Sequence, residues 1–110
     1  MEINEYQRLA LRTANSYESW DLIINGVLGL CGETGEVADH IKKSMFQGHV
    51  LDAEKVIKEL GDVCWYVATF AKGLNVDLET VMKMNIEKLK NRYPDGFKVE
   101  NSIYRAEVTD

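Results

Sequence analysis

The chain has 110 residues, 45% hydrophobic and 28% charged, with a formal net charge of -5 at pH 7. That length supports a single domain, expected over residues 1–110, with one modest core, and the composition is that of an ordinary globular protein, which excludes disorder. The acidic balance excludes a non-specific binder of nucleic-acid polymer or of membrane surface, because both partners call for basic patches that release counterions. No stretch approaches the roughly eighteen apolar residues of a membrane span. The start Met1-Glu2-Ile3-Asn4-Glu5 lacks a signal peptide's basic and apolar regions, so the expected location is cytoplasmic.

Helix signals dominate. A first helix is predicted from Asn4, with Gln7 as its capping-box partner, and carries Tyr6, Leu9, Ala10, Thr13 and Tyr17 on one side before ending near Ser19. Trp20 is expected to pack where the first two helices meet. The second helix, Asp21 to Phe46, has Leu22, Ile23, Val27, Leu30, Cys31, Val37, Ala38 and Ile41 as its inward set. Gly26, Gly29, Gly32 and Gly35 interrupt it, each at a cost of about 0.5–1 kcal/mol relative to alanine. Glycines three apart point either to close approach by another backbone or a ligand, or to a kink.

The segment Gln47-Gly48-His49-Val50-Leu51 reads as a connector. Asp52 is a fitting N-cap for a third helix that runs to Lys72 before Gly73, with Val56, Ile57, Leu60, Val63, Cys64, Val67, Ala68 and Ala71 as its apolar stripe. A fourth helix follows Asp77 and stops before Pro94, which disfavours helical geometry at Tyr93. Pro94-Asp95-Gly96 makes a turn. From Lys98 onward no period is evident, and a short irregular tail is expected. Cys31 and Cys64 read as reduced core residues rather than a disulfide or metal pair.

The chemistry lies in two acidic pairs, Glu33-Thr34-Gly35-Glu36 and Glu59-Leu60-Gly61-Asp62. Acids three apart on a helix share a face. If the two faces converge, like charges about 4 Å apart repel by roughly 4 kcal/mol at an effective dielectric near 20, so the quartet must take up protons or hold a divalent ion. Oxygen ligands alone favour Mg²⁺ or Mn²⁺ over zinc. The competing reading is two solvated faces, and the apolar residues flanking both pairs argue against it.

On the fourth helix Asn85, Lys88 and Arg92 share a stripe with Val81, suited either to gripping phosphate or to a salt-bridged exterior. Lys42 and Lys43 follow the first acidic pair and serve either phosphates or the helix end. Tyr66 stands one turn after Asp62, placed to meet a nucleobase or to pack in the core. Asp39 is an outer member of the acidic site or simply surface. His40 and His49 lack the spacing of a di-iron or zinc site. With no P-loop, no Gly-x-Ser-x-Gly and no Cys/His nucleophile pair, the chemistry must rest on metal and water.

The runs Gly32-Glu33-Thr34-Gly35-Glu36-Val37-Ala38-Asp39, Glu59-Leu60-Gly61-Asp62-Val63 and Asn85 through Phe97 resemble the MazG-type nucleotide pyrophosphohydrolases, over about residues 20–97. The resemblance implies an all-α, four-helix MazG-like bundle completed by dimerisation, as a homodimer or homotetramer. It implies a Mg²⁺-dependent enzyme, with Mn²⁺ as a substitute, that converts (d)NTP to (d)NMP and pyrophosphate in nucleotide house-cleaning. The family's metal pattern Glu-Glu-x-x-Glu then Glu-x-x-Asp is matched at Glu33, Glu36, Glu59 and Asp62 as metal ligands; Glu33 and Glu36 are further expected to be catalytic, with Glu36 taking the water's proton. It departs at Gly32, where the first glutamate would stand, leaving a further metal or water contact and the number of ions open. Similarity also implies substrate contacts at Tyr66, Asn85, Lys88 and Arg92, and Lys43 is expected beside them as a further contact to the phosphates. The alternatives are an enzyme like phosphoribosyl-ATP pyrophosphohydrolase and a non-enzymatic helical interaction module.

Overall fold

The computed structural model describes residues 1–105. The element order is α1 Ile3–Leu11, α2 Ser19–Phe46, α3 Ala53–Gly73, α4 Leu78–Arg92 and α5 Val99–Ile103, and no strand forms among the described residues. The all-α expectation holds. Two compact units divide the chain, one spanning Met1–Leu78 and the other beginning at Glu79.

In the first unit α2 and α3 form an antiparallel hairpin. Their closest approaches fall at glycines. A Cβ on Gly26 would stand 2.7 Å from Phe70 Cβ, a Cβ on Gly73 would stand 2.9 Å from the Ile23 backbone nitrogen, and a Cβ on Gly29 would collide with the Tyr66 ring. Of the two sequence readings of the glycine series, close approach therefore accounts for Gly26 and Gly29. Gly32 and Gly35 face open space, and α2 runs unbroken through all four.

Chain geometry sets the ends of these helices. Gly48, with φ +71°, turns the chain so that the Lys43 carbonyl accepts from both Gln47 N–H and His49 N–H at 3.0 and 3.1 Å. Asp52 caps α3 as expected, its carboxylate accepting from Lys55 N–H at 3.2 Å. At the other end α3 includes Gly73, and Asn75 takes the left-handed turn at φ 60°.

The first helix departs most from expectation. It ends at Leu11 rather than near Ser19 because its last carbonyls are claimed by side chains. Ala10 O accepts from Thr13 Oγ1 at 3.0 Å and from Trp65 Nε1 at 2.9 Å, and Leu11 O accepts from the Tyr17 hydroxyl at 3.0 Å. Such local bonds compete with helix continuation. The start lies one residue earlier than expected, with the Glu5 carboxylate accepting from Glu2 N–H. Gln7 is not a capping partner at all. It is buried, donating from Nε2 to Ala68 O at 3.1 Å and Val76 O at 3.2 Å and accepting at Oε1 from Leu78 N–H at 3.0 Å.

Gln7 thus crosses a thin core of small residues, in which Ala10, Ala68 and Leu78 cluster with Tyr6, Trp65 and Val67 partly buried against them. Only one side of each helix in this unit is covered. Of the expected inward set on α2, Leu22 is buried, Ile23, Leu30 and Val37 are half-buried, and Val27, Cys31, Ala38 and Ile41 are exposed. On α3, Ala68 and Ala71 are buried while Ile57, Leu60 and Cys64 are exposed. The cysteines are free but are surface rather than core residues. Trp20 is 72% exposed, and the indole that joins α1 to the hairpin is instead Trp65, which also donates to Thr13 Oγ1 at 2.9 Å.

In the second unit α4 is held to its predicted end by Pro94, and Tyr93 stacks at 5.3 Å on Phe97 across the turn at Gly96. The tail carries the short helix Val99–Ile103, where an irregular segment was expected. The part of that tail expectation that falls on residues 106–110 lies outside the described residues.

Replacing Gln7 by methionine keeps its bulk and removes its hydrogen bonds, leaving buried backbone groups at Val76 and Leu78 unmatched. The expected loss is about 2–3 kcal/mol of unfolding free energy, read as a lower urea midpoint with an unchanged slope.

Candidate metal and nucleotide site

The glycine contacts fix the register of the hairpin, and that register decides which acids meet. Glu33 follows Gly29 by one turn on α2, and Asp62 precedes Tyr66 by one turn on α3, so in an antiparallel pair the two acids fall at one level. Glu33, Glu59 and Asp62 each offer a carboxylate oxygen there, all within 4.8 Å of one another. Glu33 and Glu59 are half-buried and Asp62 is exposed.

Glu36, the fourth acid of the sequence reading, is exposed and lies outside this trio, although its charge still acts on Glu33. The Glu33 carboxyl is pushed up to about 7, first by sharing a proton with Glu59, then by desolvation, then by the negative charges of Glu59, Asp62 and Glu36. With both partners ionised that carboxyl contact has no proton, and the buried Glu33 Oε2 is left with no hydrogen-bond donor. Three converging oxygen donors, one of them shielded and unmatched, fit a hard divalent cation.

The remaining candidates divide by location. Lys43 pairs with Asp39 at 2.9 Å, and Lys42 reaches the same carboxylate at 3.6 Å. The Lys43 hydrogen bond, with further help from both ammonium charges, holds Asp39 below the usual carboxylate range. Asp39 is therefore part of an ion-pair group on α2 rather than of the trio. The Tyr66 ring docks on Gly29 and meets Trp65 edge-on, centroids 5.1 Å apart and planes at 89°.

Asn85, Lys88 and Arg92 lie on α4 in the second unit and share one face, with Lys88 and Arg92 half-buried. Ion pairs in that unit include Lys83 with Glu79 at 3.3 Å and Lys90 with Glu87 at 4.0 Å. Arg92 also lies 6.0 Å from the Tyr93 ring centre.

Tyr6 was read only as part of the inward face of α1. Burial raises its phenol pKa, with the neighbouring Cys64 and Asp62 adding to the rise, so α1 reaches the neighbourhood of the trio. No residue pattern distinguishes that role from packing. A cleft of about 130 Å³, lined in part by His40, Lys43, His49 and Lys55, opens toward the α2–α3 connector. It contains none of the acids and is smaller than the roughly 300 Å³ at which ligand pockets begin.

Residues 25–97 match the MazG nucleotide pyrophosphohydrolase domain, a span that takes in both acidic pairs, and the chain belongs to that family. Over 105 residues it is 36% identical to the "Gene 37 protein" of Mycobacterium phage L5, a match covering 87% of this chain and 92% of that protein. No solved structure matches it. No helix among the described residues is long and apolar enough to cross a membrane.

The raised Glu33 carboxyl makes ligand-free stability depend on pH. Between about 4.5, its ordinary value, and about 7 the folded chain holds a proton that the unfolded chain has released, so stability falls as pH rises through that window and levels off above it. In EDTA, the thermal midpoint is expected to drop between pH 5 and 7.5, and Glu33→Gln is expected to flatten that drop, as checked by thermal unfolding.

Proposed function

We propose that this chain is a divalent-metal-dependent nucleoside triphosphate pyrophosphohydrolase, converting (d)NTP to (d)NMP and pyrophosphate, with Mg²⁺ as its ion and Mn²⁺ as a substitute. The observation that carries the reading is the convergence of Glu33, Glu59 and Asp62 across two helices, with Glu33 Oε2 shielded and undonated, inside the family match. Glu33, Glu59 and Asp62 would hold the ion, with Glu36 at its edge. An ion held there supplies charge neutralisation for the triphosphate and a lowered pKa for bound water.

The reaction forms one bond from a water oxygen to phosphorus and breaks one phosphoanhydride bond, with pyrophosphate leaving. Glu36, exposed and one turn beyond Glu33, accepts the water's proton. Lys43 steadies charge on the phosphates, exchanging its bond to Asp39 for one to substrate. Asn85, Lys88 and Arg92 contact phosphate and sugar, and Tyr66 borders the base, as the resemblance supports. The physiological role is clearance of unwanted nucleotides in the cytoplasm.

We further propose that the active form is a homodimer or homotetramer. Supporting this, Leu28 is 66% and Ile57 is 64% exposed, a heavy apolar exposure for a lone chain, and the acids lie outside the cleft described above. In solution the mass is expected at two or four times the 12.5 kDa chain, and Leu28→Lys is expected to lower it; a monomer by light scattering would discard the assembly.

Purified protein with a panel of NTPs, dNTPs and phosphoribosyl-ATP is expected to release pyrophosphate from (d)NTPs with Mg²⁺ and not with EDTA. Turnover of phosphoribosyl-ATP alone would move the assignment to that enzyme class, and no turnover of any substrate would leave a helical interaction module. Asp62→Ala and Glu36→Ala are each expected to cut turnover at saturating Mg²⁺ by about 100-fold or more with helical circular dichroism unchanged, and retained activity would discard these residues.

A further inference from the structure

We propose that the fit of the Tyr66 ring into the space left by Gly29 is a positioning device, which sets the depth of α2 against α3 and so brings Glu33 to Glu59 and Asp62. The inference rests on the metal reading given above and adds two residues that need not touch the ion.

The contacts form a continuous bracket. Trp65 donates from one indole nitrogen to Ala10 O and Thr13 Oγ1, both at 2.9 Å, which pins its ring to α1. Its edge-on contact with Tyr66, at 5.1 Å, limits how far the phenol can turn. The Tyr66 ring also occupies the volume in which a Cβ at position 29 would sit. One wall of the fit is a ring already in contact with Trp65 and the other is helix backbone, so an added Cβ is accommodated by a change in the spacing of the two helices.

The level of this contact is what gives it leverage. Gly29 and Glu33 are one turn apart on α2, and Tyr66 and Asp62 are one turn apart on α3. A change in interhelical spacing at the ring is therefore carried to the acids with little attenuation, since a helix is stiff over a single turn. Ligand oxygens tolerate only a few tenths of an ångström of misplacement. Gly32, by contrast, faces open space on the same helix and serves as the matched control.

Alanine has the higher helix propensity at both positions, so loss of helix is not the expected consequence of either substitution. The probe is Mn²⁺ alone, with the free ion measured by electron paramagnetic resonance, together with helical circular dichroism of each variant. Gly29→Ala overfills the fit and Tyr66→Val underfills it. Each is expected to weaken Mn²⁺ binding by about tenfold, the scale on which supporting residues act at metal sites. Gly32→Ala is expected to bind as the unaltered protein does. The pair Gly29→Ala with Tyr66→Val matches small against small, and most of the lost affinity is expected to return.

Because Tyr66 is also proposed to border the base, binding of the ion without nucleotide keeps the two roles apart. Should Gly29→Ala fail to fold, Tyr66→Val and the pair still decide the matter. The proposal is overturned if the folded single variants bind Mn²⁺ like the unaltered protein, or if the pair is no better than Tyr66→Val. Failure of the unaltered protein to bind Mn²⁺ would instead remove the metal reading, and this inference with it.

Discussion

Close contact between α2 and α3 is the constraint on which the first unit depends. Two helices normally pack 8–10 Å apart, and side-chain bulk sets that spacing. Here glycines on α2 admit α3 closely, Gly26 against the Phe70 Cβ and backbone and Gly29 against the Tyr66 ring, and Gly73 on α3 admits Ile23 in return. Each interior glycine weakens its helix by a fraction of a kcal/mol to about 1 kcal/mol. That cost is offset where the missing Cβ admits a ring, and it leaves a single register for the hairpin.

Within that register electrostatics work against the fold. Bringing Glu33, Glu59 and Asp62 together raises the Glu33 carboxyl far above its ordinary range, a sign that the site is poorly suited to its own negative charge. Stability alone would select a neutral or basic residue at one of these positions. A grouping that opposes folding and lies within the span matched to a hydrolase family is the pattern expected where function, not packing, has chosen the residues. The ion pairs elsewhere show the contrast: Asp39 with Lys43, Glu54 with Lys58 and Glu79 with Lys83 are ordinary surface pairs along single helices.

Much of this was legible in the sequence, for reasons that differ by element. The long helices announced themselves through periodicity and caps, and Asp52 and Pro94 fixed two boundaries almost to the residue. Glu33, Glu59 and Asp62 were visible as acids embedded in apolar stretches. Glu36 followed from the same spacing, yet it lies outside the close group, exposed where Glu33 is half-buried. The end of α1 was not legible: it depends on Trp65, fifty-five residues away, taking the carbonyl of Ala10. Gln7 was misread for the same reason, since a polar side chain near a helix start looks like a cap until its distant partners are known. Burial of whole apolar stripes was overestimated because periodicity reports which side is apolar without reporting what covers it.

The way Gln7 is bonded bears on how this chain tolerates change. All of its partners are main-chain groups, at Ala68, Val76 and Leu78, and the first bond of Trp65 is likewise to backbone. Main-chain groups are present whatever residue occupies the position. Evolutionary drift in the side chain at position 76 would therefore spare these links, while drift at Gln7 would sever three of them at once. The attachment of the first helix is thus split into two halves, one written in Gln7 on α1 and the other in Trp65 on α3, and each half rests on a single side chain rather than on a matched pair.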